Sequence, residues 1–477
     1  MREIYEQASN VCVWLGRDTK QYQAKLAVDS IRIISNFLCD KLGIKASDLS
    51  SIKDPLYDVL TKKREVIPLP NECDFSKDDV WEALVWFYSH PYFTRVWIIQ
   101  EINVPCGRVL HCGYEQIEWE RVDLVAGYII METAFSKAYG FTNAYCWWAA
   151  SLVEISLSKS WIFMLYLASN FSCTDHRDFI YGLRGLMTFS DGAELLLPDY
   201  RKSVTEVYRD CAEAALINFK NVDILYYVRG AENPSWVPRW DKAMLFRNPF
   251  RLTSGVPWRP TGKTVPIWSI DKKESILTIQ GISLGIIEFA ESYNESIFGT
   301  VIASSPEGVK ELNQIWSKIL KIFENKFPVP LSAEVITAAA VSLSFGLNEK
   351  KELGEDRKLM LNFISYLNTA LDEWTFRKFI SAELAEESKS ADGSAFGKPV
   401  WDFTYPESSL FITEDGLIGC TISSIKPHDV VFAALGSSYP HILRLDTKRY
   451  YIRGYSFIYG VMNGEKKDSD IYNFDIC

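Results

Sequence analysis

Apolar and polar positions along the 477-residue chain change period several times. At the start, Ile4, Tyr5 and Ala8 share one helical face, and residues 11–15 follow as an unbroken apolar run closed by Gly16. Such a run predicts a buried parallel strand and its turn. A helix feeding a strand of this kind is half of a β-α-β unit. Residues 21–42 carry Leu26, Ile31, Ile34 and Leu38 at helical spacing and predict a long amphipathic helix. Residues 43–77 mix Ser, Asp, Lys and Pro and predict a loop-rich insertion. Asp78 or Asp79 then caps a helix carrying Val80, Trp81, Leu84 and Phe87, which stops at Ser89-His90-Pro91. A further helix is predicted over 94–102, a short strand over 109–112, and helical segments to about residue 170.

Beyond this point helices are predicted over 179–187 and 204–219. The proline-rich segment Pro234 to Trp240 suits a course across the surface of a core rather than a helix interior. Strand-like runs occupy 275–282 and 286–289, and helical periodicity returns at 306–326, 332–346 and 356–386. Residues 385–398 are rich in Ser, Glu, Gly and Ala and read as a linker. Short strands follow at 410–413, 430–435, 442–445 and 457–462, with turns at Glu414-Asp415-Gly416 and Asn463-Gly464. The pattern predicts four regions: an α/β domain over 1–190, a mixed and mainly helical extension over 191–384, a linker over 385–398, and a small antiparallel β module over 399–477.

Composition narrows the function classes. Apolar residues make up 48% and charged residues 23%, as in ordinary globular protein. Acidic residues outnumber basic ones by 61 to 51, and the longest basic block is Lys62-Lys63-Arg64, so nucleic-acid binding is disfavoured. The ten cysteines form no C-x-x-C pair, as expected of reduced thiols in a cytoplasmic protein. The apolar run 161–168 is far short of the roughly 20 residues a membrane-spanning helix needs.

Three short patterns suggest chemistry that their surroundings do not support. Gly281-Ile282-Ser283-Leu284-Gly285 fits a nucleophile elbow on paper, but more strand follows it where a helix is required. A tight turn in a β region is the better reading. Cys106, His111 and Cys112 lack a fourth metal ligand at a familiar spacing, so no metal site is expected. Gly262-Lys263-Thr264 ends like a phosphate loop, but Pro257 stands where the first glycine belongs.

Four segments carry a stronger signal: IYEQASNVCVWLG from Ile4 to Gly16, RVWIIQEI from Arg95 to Ile102, DHRDFIYGLRGL from Asp175 to Leu186, and PDYRKSVTEVYRD from Pro198 to Asp210. In this order they resemble fungal heterokaryon-incompatibility (HET) domain proteins. PSWVPRW at 234–240 and the tail segments FITEDGLIG, DVVF and YGVMNGE extend the resemblance over nearly the whole chain. The family's motif positions fall on Trp14, Gly16, Arg95, Gln100, Asp175, Arg177, Asp178, Tyr181, Pro198, Asp199 and Tyr200. For Asp175, Arg177 and Asp178 the expected work is capping and charge pairing. A full domain of this family carries two earlier strands and an Asp-containing loop ahead of the segment at Ile4. The chain therefore reads as starting in mid-fold.

HET domains in turn resemble TIR domains, some of which cleave NAD, and this implies a TIR-like, flavodoxin-like parallel sheet. In plant-type TIR domains a W-C-L-x-E-L helix carries a catalytic glutamate. Trp97 and Glu101 match the Trp and Glu of that pattern, Ile98 replaces the Cys, and the two matching residues are four apart on one predicted helical face. The resemblance implies no required cofactor, NAD as substrate, and self-association or other protein partners. A carboxylate at Glu101 suits an oxocarbenium-like transition state. The residue equally suits pairing with Arg95 or a backbone cap. A rival expectation is a non-enzymatic protein that binds partners through a sheet edge at 11–15 or inhibits full-length relatives.

Overall fold

The structure, a computed structural model, describes residues 4, 7–18, 22–51, 78–104, 106–131, 143–151, 160–228, 233–244, 257–293, 306–349, 352–396 and 408–477. Much of the predicted helix over 1–9 and of the predicted insertion over 43–77 lies outside them. The chain divides into two compact units, Met1–Val207 with Trp240–Leu245, and Tyr208–Arg239 with Phe246–Cys477. The boundaries drawn from composition at 190, 384 and 398 do not coincide with this division.

The first unit is built on a three-stranded mixed sheet. Strand β1 (Asn10–Trp14) runs parallel to β2 (Gly107–Cys112), with Asn10 opposite Gly107 and Trp14 opposite His111. The turn at Gly113-Tyr114 returns the chain antiparallel into β3 (Glu115–Glu118), so the sheet is mixed rather than all-parallel. Val13 and Leu15 are buried, whereas Cys12 is exposed and Trp14 is 70% exposed. The apolar run is thus covered on one face and not both, as strand alternation dictates.

Helix α1 (Gln23–Leu42) buries Ala24, Ala27, Val28, Ile31, Ile34 and Leu38. Gly43 ends it at φ 68°, a left-handed position that favours glycine, with its N–H on the Asp40 and Cys39 carbonyls. Around α1 pack α2 (Asp78–Tyr88) and α4 (Trp119–Met131), and α4 meets α5 (Ala144–Ala150). Phe87, Tyr88, Phe93, Trp119 and Tyr145 form a buried aromatic group among these helices.

The predicted helix over 94–102 is broken. A 3-10 turn covers Pro91–Thr94, Arg95 is extended, and the α-helix α3 spans only Ile98–Ile102. The break has a tertiary cause: the Val96 N–H donates to the Ser172 carbonyl at 2.9 Å and the Ser172 N–H to the Thr94 carbonyl at 2.7 Å. After α6 (Trp161–Ala168), the predicted helix over 179–187 is likewise one turn, α7 (Asp178–Tyr181), followed by a 3-10 turn at Arg184–Leu186. Helix α8 (Val204–Phe219) opens on a capping box, with the Ser203 N–H on Glu206 Oε2 at 2.8 Å and the Glu206 N–H on Ser203 Oγ at 3.3 Å.

The second unit joins helices to a closed antiparallel circuit. Its strands are β4 (Trp268–Asp271), β5 (Ile276–Tyr293), β6 (Ser408–Thr413), β7 (Ile418–Thr421), β8 (Val430–Ala434), β9 (His441–Asp446), β10 (Arg449–Ile458) and β11 (Ile471–Ile476). Antiparallel pairing runs from β5 through β8, β9, β10, β7 and β6 back to β5. Closure of this kind leaves those strands without a free edge. The β module is therefore not confined to 399–477, because β5 completes the circuit. Against it pack α9 (Pro306–Lys326), α10 (Ala333–Leu343), α11 (Asp356–Ala370) and α12 (Glu373–Phe379), in one core that includes Trp316, Phe363, Ile412 and Phe457.

The linker assigned to 385–398 is folded over its described part. Helix α13 (Ala382–Glu387) leads into 3-10 turns, and Phe396 packs 4.7 Å from the Phe363 ring of α11. Its small polar residues mark capped turns, not an open tether. Among the described residues no helix is long and apolar enough to cross a membrane.

Candidate functional site

Trp97 stands at the N-terminal end of α3, and its indole Nε1 donates to Asp178 Oδ2 at 3.3 Å. The other oxygen of Asp178 accepts the Tyr200 hydroxyl at 2.7 Å. Side chains from three separate sequence motifs thus meet on one carboxylate. Gly182 lets the chain turn tightly after Asp178, since a Cβ there would lie 2.6 Å from the Asp178 carbonyl oxygen, while the Trp97 ring at 3.6 Å would be in ordinary contact.

Around this meeting point Asp175, Arg177, Tyr181 and Asp199 fix the backbone. Arg177 grips Asp175 with two nitrogens, at 2.9 and 2.7 Å, and donates to the Lys202 carbonyl at 2.9 Å. Its guanidinium also lies 5.1 Å over the Tyr200 ring. That ring meets Tyr181 edge to face at 5.3 Å, and the Tyr181 hydroxyl donates to the Asp199 carbonyl at 3.2 Å. Asp199 in turn holds Arg201, at 2.8 and 2.9 Å. Hydrogen bonds from Arg177 keep the Asp175 carboxyl below its usual range, and those from Arg201 bring Asp199 to about 2. Burial and the bond to Asp178 push the Tyr200 phenol up to about 12, so it acts here as a donor.

Glu101 lies on α3 and is otherwise engaged. Its Oε2 accepts the Tyr92 hydroxyl at 2.9 Å, and Oε1 lies 3.8 Å from the half-exposed Arg95 guanidinium. The side chain keeps 15% exposure, so the carboxylate is held at the surface end of a fixed helix. Trp97 and Glu101 are one turn apart, with the Glu101 N–H on the Trp97 carbonyl at 3.2 Å, but their polar ends serve different partners. Gln100 is buried, and its Oε1 has no hydrogen-bond partner among the described residues.

His90, part of the predicted helix stop, and Tyr92 connect Glu101 to the first motif. His90 Nδ1 accepts from the Tyr92 N–H at 3.2 Å, and its ring faces the Leu15 backbone. Burial lowers the His90 pKa despite that contact. Leu15 ends the β1 region, and the Gly16 carbonyl accepts from the Gly113 N–H at 2.9 Å, with Gly16 at φ 95°. Trp14 and Pro198 are exposed and stand apart from this network. No local spacing signalled Tyr92, because only the intervening turn brings its hydroxyl to Glu101.

The patterns set aside from sequence are also placed. Ser283 lies inside β5, where pairing with β8 shifts register between Ser283 and Gly285, so the glycine-serine-glycine pattern is a bulge in a long strand and not a tight turn. Among the described residues no group of three or more His, Cys, Asp or Glu could hold a metal ion.

Residues 1–101 match the family described as heterokaryon incompatibility protein (HET). Over 560 aligned positions the chain is 22% identical to a Neurospora crassa protein named "Heterokaryon incompatibility protein 6, OR allele", covering 98% of this chain and 78% of that protein. No solved structure matches.

Proposed function

We infer, from the match of residues 1–101 to the heterokaryon incompatibility family and the similarity of the chain to a Neurospora crassa incompatibility protein, that this chain is an incompatibility-type protein of fungal non-self recognition. On this reading it acts in the cytoplasm, ends in programmed cell death, and does so by cleaving NAD at the nicotinamide glycosidic bond in TIR-like fashion. The observation that supports the reading is that two later motifs meet, through Asp178 and Tyr200, on Trp97 at the start of the short helix that carries Glu101.

Cleavage releases nicotinamide with the bonding electron pair, and water adds to the ribose carbon with loss of a proton. The ribose passes through an oxocarbenium-like cation, which a fixed carboxylate stabilises. Glu101 offers Oε1, which among the described residues carries only the long ion pair to Arg95, while Tyr92 holds Oε2. Trp97 has its indole N–H committed to Asp178, so its part is to seat α3 and not to bind substrate.

The test is NAD turnover by the purified chain and by its Glu101→Gln variant. Loss of a charge-stabilising group of this kind costs roughly 100-fold or more in rate. Equal turnover by the two proteins would falsify the assignment.

A second reading, a partner-binding protein without turnover, draws on β1, which ends its sheet among the described residues with Cys12 and Trp14 exposed. It expects the incompatibility reaction in cells to survive Glu101→Gln and to be lost with Trp14→Lys.

A further inference from the structure

Behind α3 lies a charged cluster that the cleavage chemistry does not use. Arg108 of β2 donates from Nη1 to the Ile102 carbonyl at 2.6 Å. Ile102 is the last residue of α3, and a helix of five residues has almost no internal support for its closing carbonyls. The same guanidinium donates from Nη2 to Glu120 Oε1 at 2.9 Å, and its Nη1 lies 3.9 Å from Asp123 Oδ2. Asp123 is held in its turn by the Trp119 indole at 3.1 Å and by the Tyr145 hydroxyl. The tether is thus anchored on α4 and α5, and the Tyr92 ring, whose hydroxyl serves Glu101, packs edge-on to Trp119 at 6.2 Å.

We propose that Arg108 is a positioning residue for Glu101, fixing the C-terminal end of α3 while Glu120 and Asp123 fix the guanidinium. The geometry needs a planar fork. One nitrogen reaches a backbone carbonyl on one side and another reaches a carboxylate on the other, which a lysine ammonium cannot reproduce. Only Nε is left without a hydrogen-bond partner among the described residues. Burial works against the Arg108 charge, yet Asp123 and Glu120 more than compensate and raise its pKa, so the tether stays charged. The proposal takes its functional meaning from the Glu101 reading, but the position of α3 can be measured without any turnover.

The experiment is amide hydrogen exchange on the full chain, comparing wild type with Arg108→Lys. Loss of one charge-assisted hydrogen bond corresponds to roughly 10- to 100-fold faster exchange where the opening equilibrium sets the rate. That acceleration is expected at residues 98–102 and not in α1 or in the β-rich unit. Unchanged exchange at 98–102, or an equal rise everywhere, overturns the proposal. Should Arg108→Lys fold poorly, Glu120→Gln provides the second variant, with a smaller acceleration expected at the same residues and uniform or absent change overturning the claim. NAD turnover is read in parallel: kcat is expected to fall with KM little changed. If wild type and Glu101→Gln turn over NAD alike while exchange at 98–102 still responds, the cleavage reading fails and the positioning role stands.

Discussion

Lowering the pH from 7 to 4 is expected to cost the β-rich unit about 3 kcal/mol through one side chain, His441. His441 begins β9 with no solvent exposure, and neither ring nitrogen has a hydrogen-bond partner among the described residues. Its ring stacks on Tyr226 at 5.7 Å and lies 5.9 Å from Phe432, so an aromatic sandwich takes the place of polar partners. Burial therefore lowers its pKa to about 3, from an ordinary value of 6.5. A lowered folded-state pKa means that the unfolded chain binds the proton first. The stabilisation is present above pH 6.5 and is lost as pH falls from there towards 3. His441→Phe keeps a ring in the stack and removes the titration. Urea midpoints at pH 7, 5.5 and 4 are expected to fall less steeply in the variant by about that amount, and parallel profiles would exclude His441 as the cause. Asp123 in the other unit titrates in the opposite sense. Burial raises it to about 6, so acid relieves its penalty as pH falls through 6.

Gly281→Ala is expected to destabilise the same unit by about 3 kcal/mol or more, whereas Ser283→Ala two residues on stays within roughly 0.5 kcal/mol. Gly281 sits in β5 opposite Ala434 of β8 and Tyr472 of β11. A Cβ on it would lie 2.4 Å from the Ala433 carbonyl oxygen and 3.0 Å from the Ala434 Cα. Those atoms are backbone, held in the ladder, and cannot yield as the end of a flexible side chain would. Ser283 is exposed, so replacing its hydroxyl disturbs no buried contact. Thermal melts distinguish the two cases, with a drop of roughly 6–12 °C expected for Gly281→Ala. A small shift for the glycine and a large one for the serine would reverse the account of this motif.

Much of the local structure was legible because it depends on neighbours in sequence. The helical spacing of residues 21–42, the stop at His90-Pro91 and the helix over 204–219 each become the predicted element. The site was less so. Arg95 to Ile102 has helical composition, yet Arg95 is extended because its backbone neighbours bond to Ser172, far along the chain. Asp178 looked like a helix cap, but its two oxygens go to Trp97 and Tyr200 side chains. Tyr92, His90 and Arg108 carried no spacing signal at all, since their partners are defined only by folding.

By itself the sequence determined the order of motifs, the amphipathic faces and the places where helices begin and stop, since propensity, capping and period act over a few residues. The tertiary structure decided which carboxylate belongs to which donor, that β5 closes a circuit with strands more than a hundred residues later, and that the glycine-serine-glycine pattern is a bulge in that strand. The reason is that hydrogen-bond partners and close backbone approaches are set by packing between distant segments, and no local pattern encodes a distance between them.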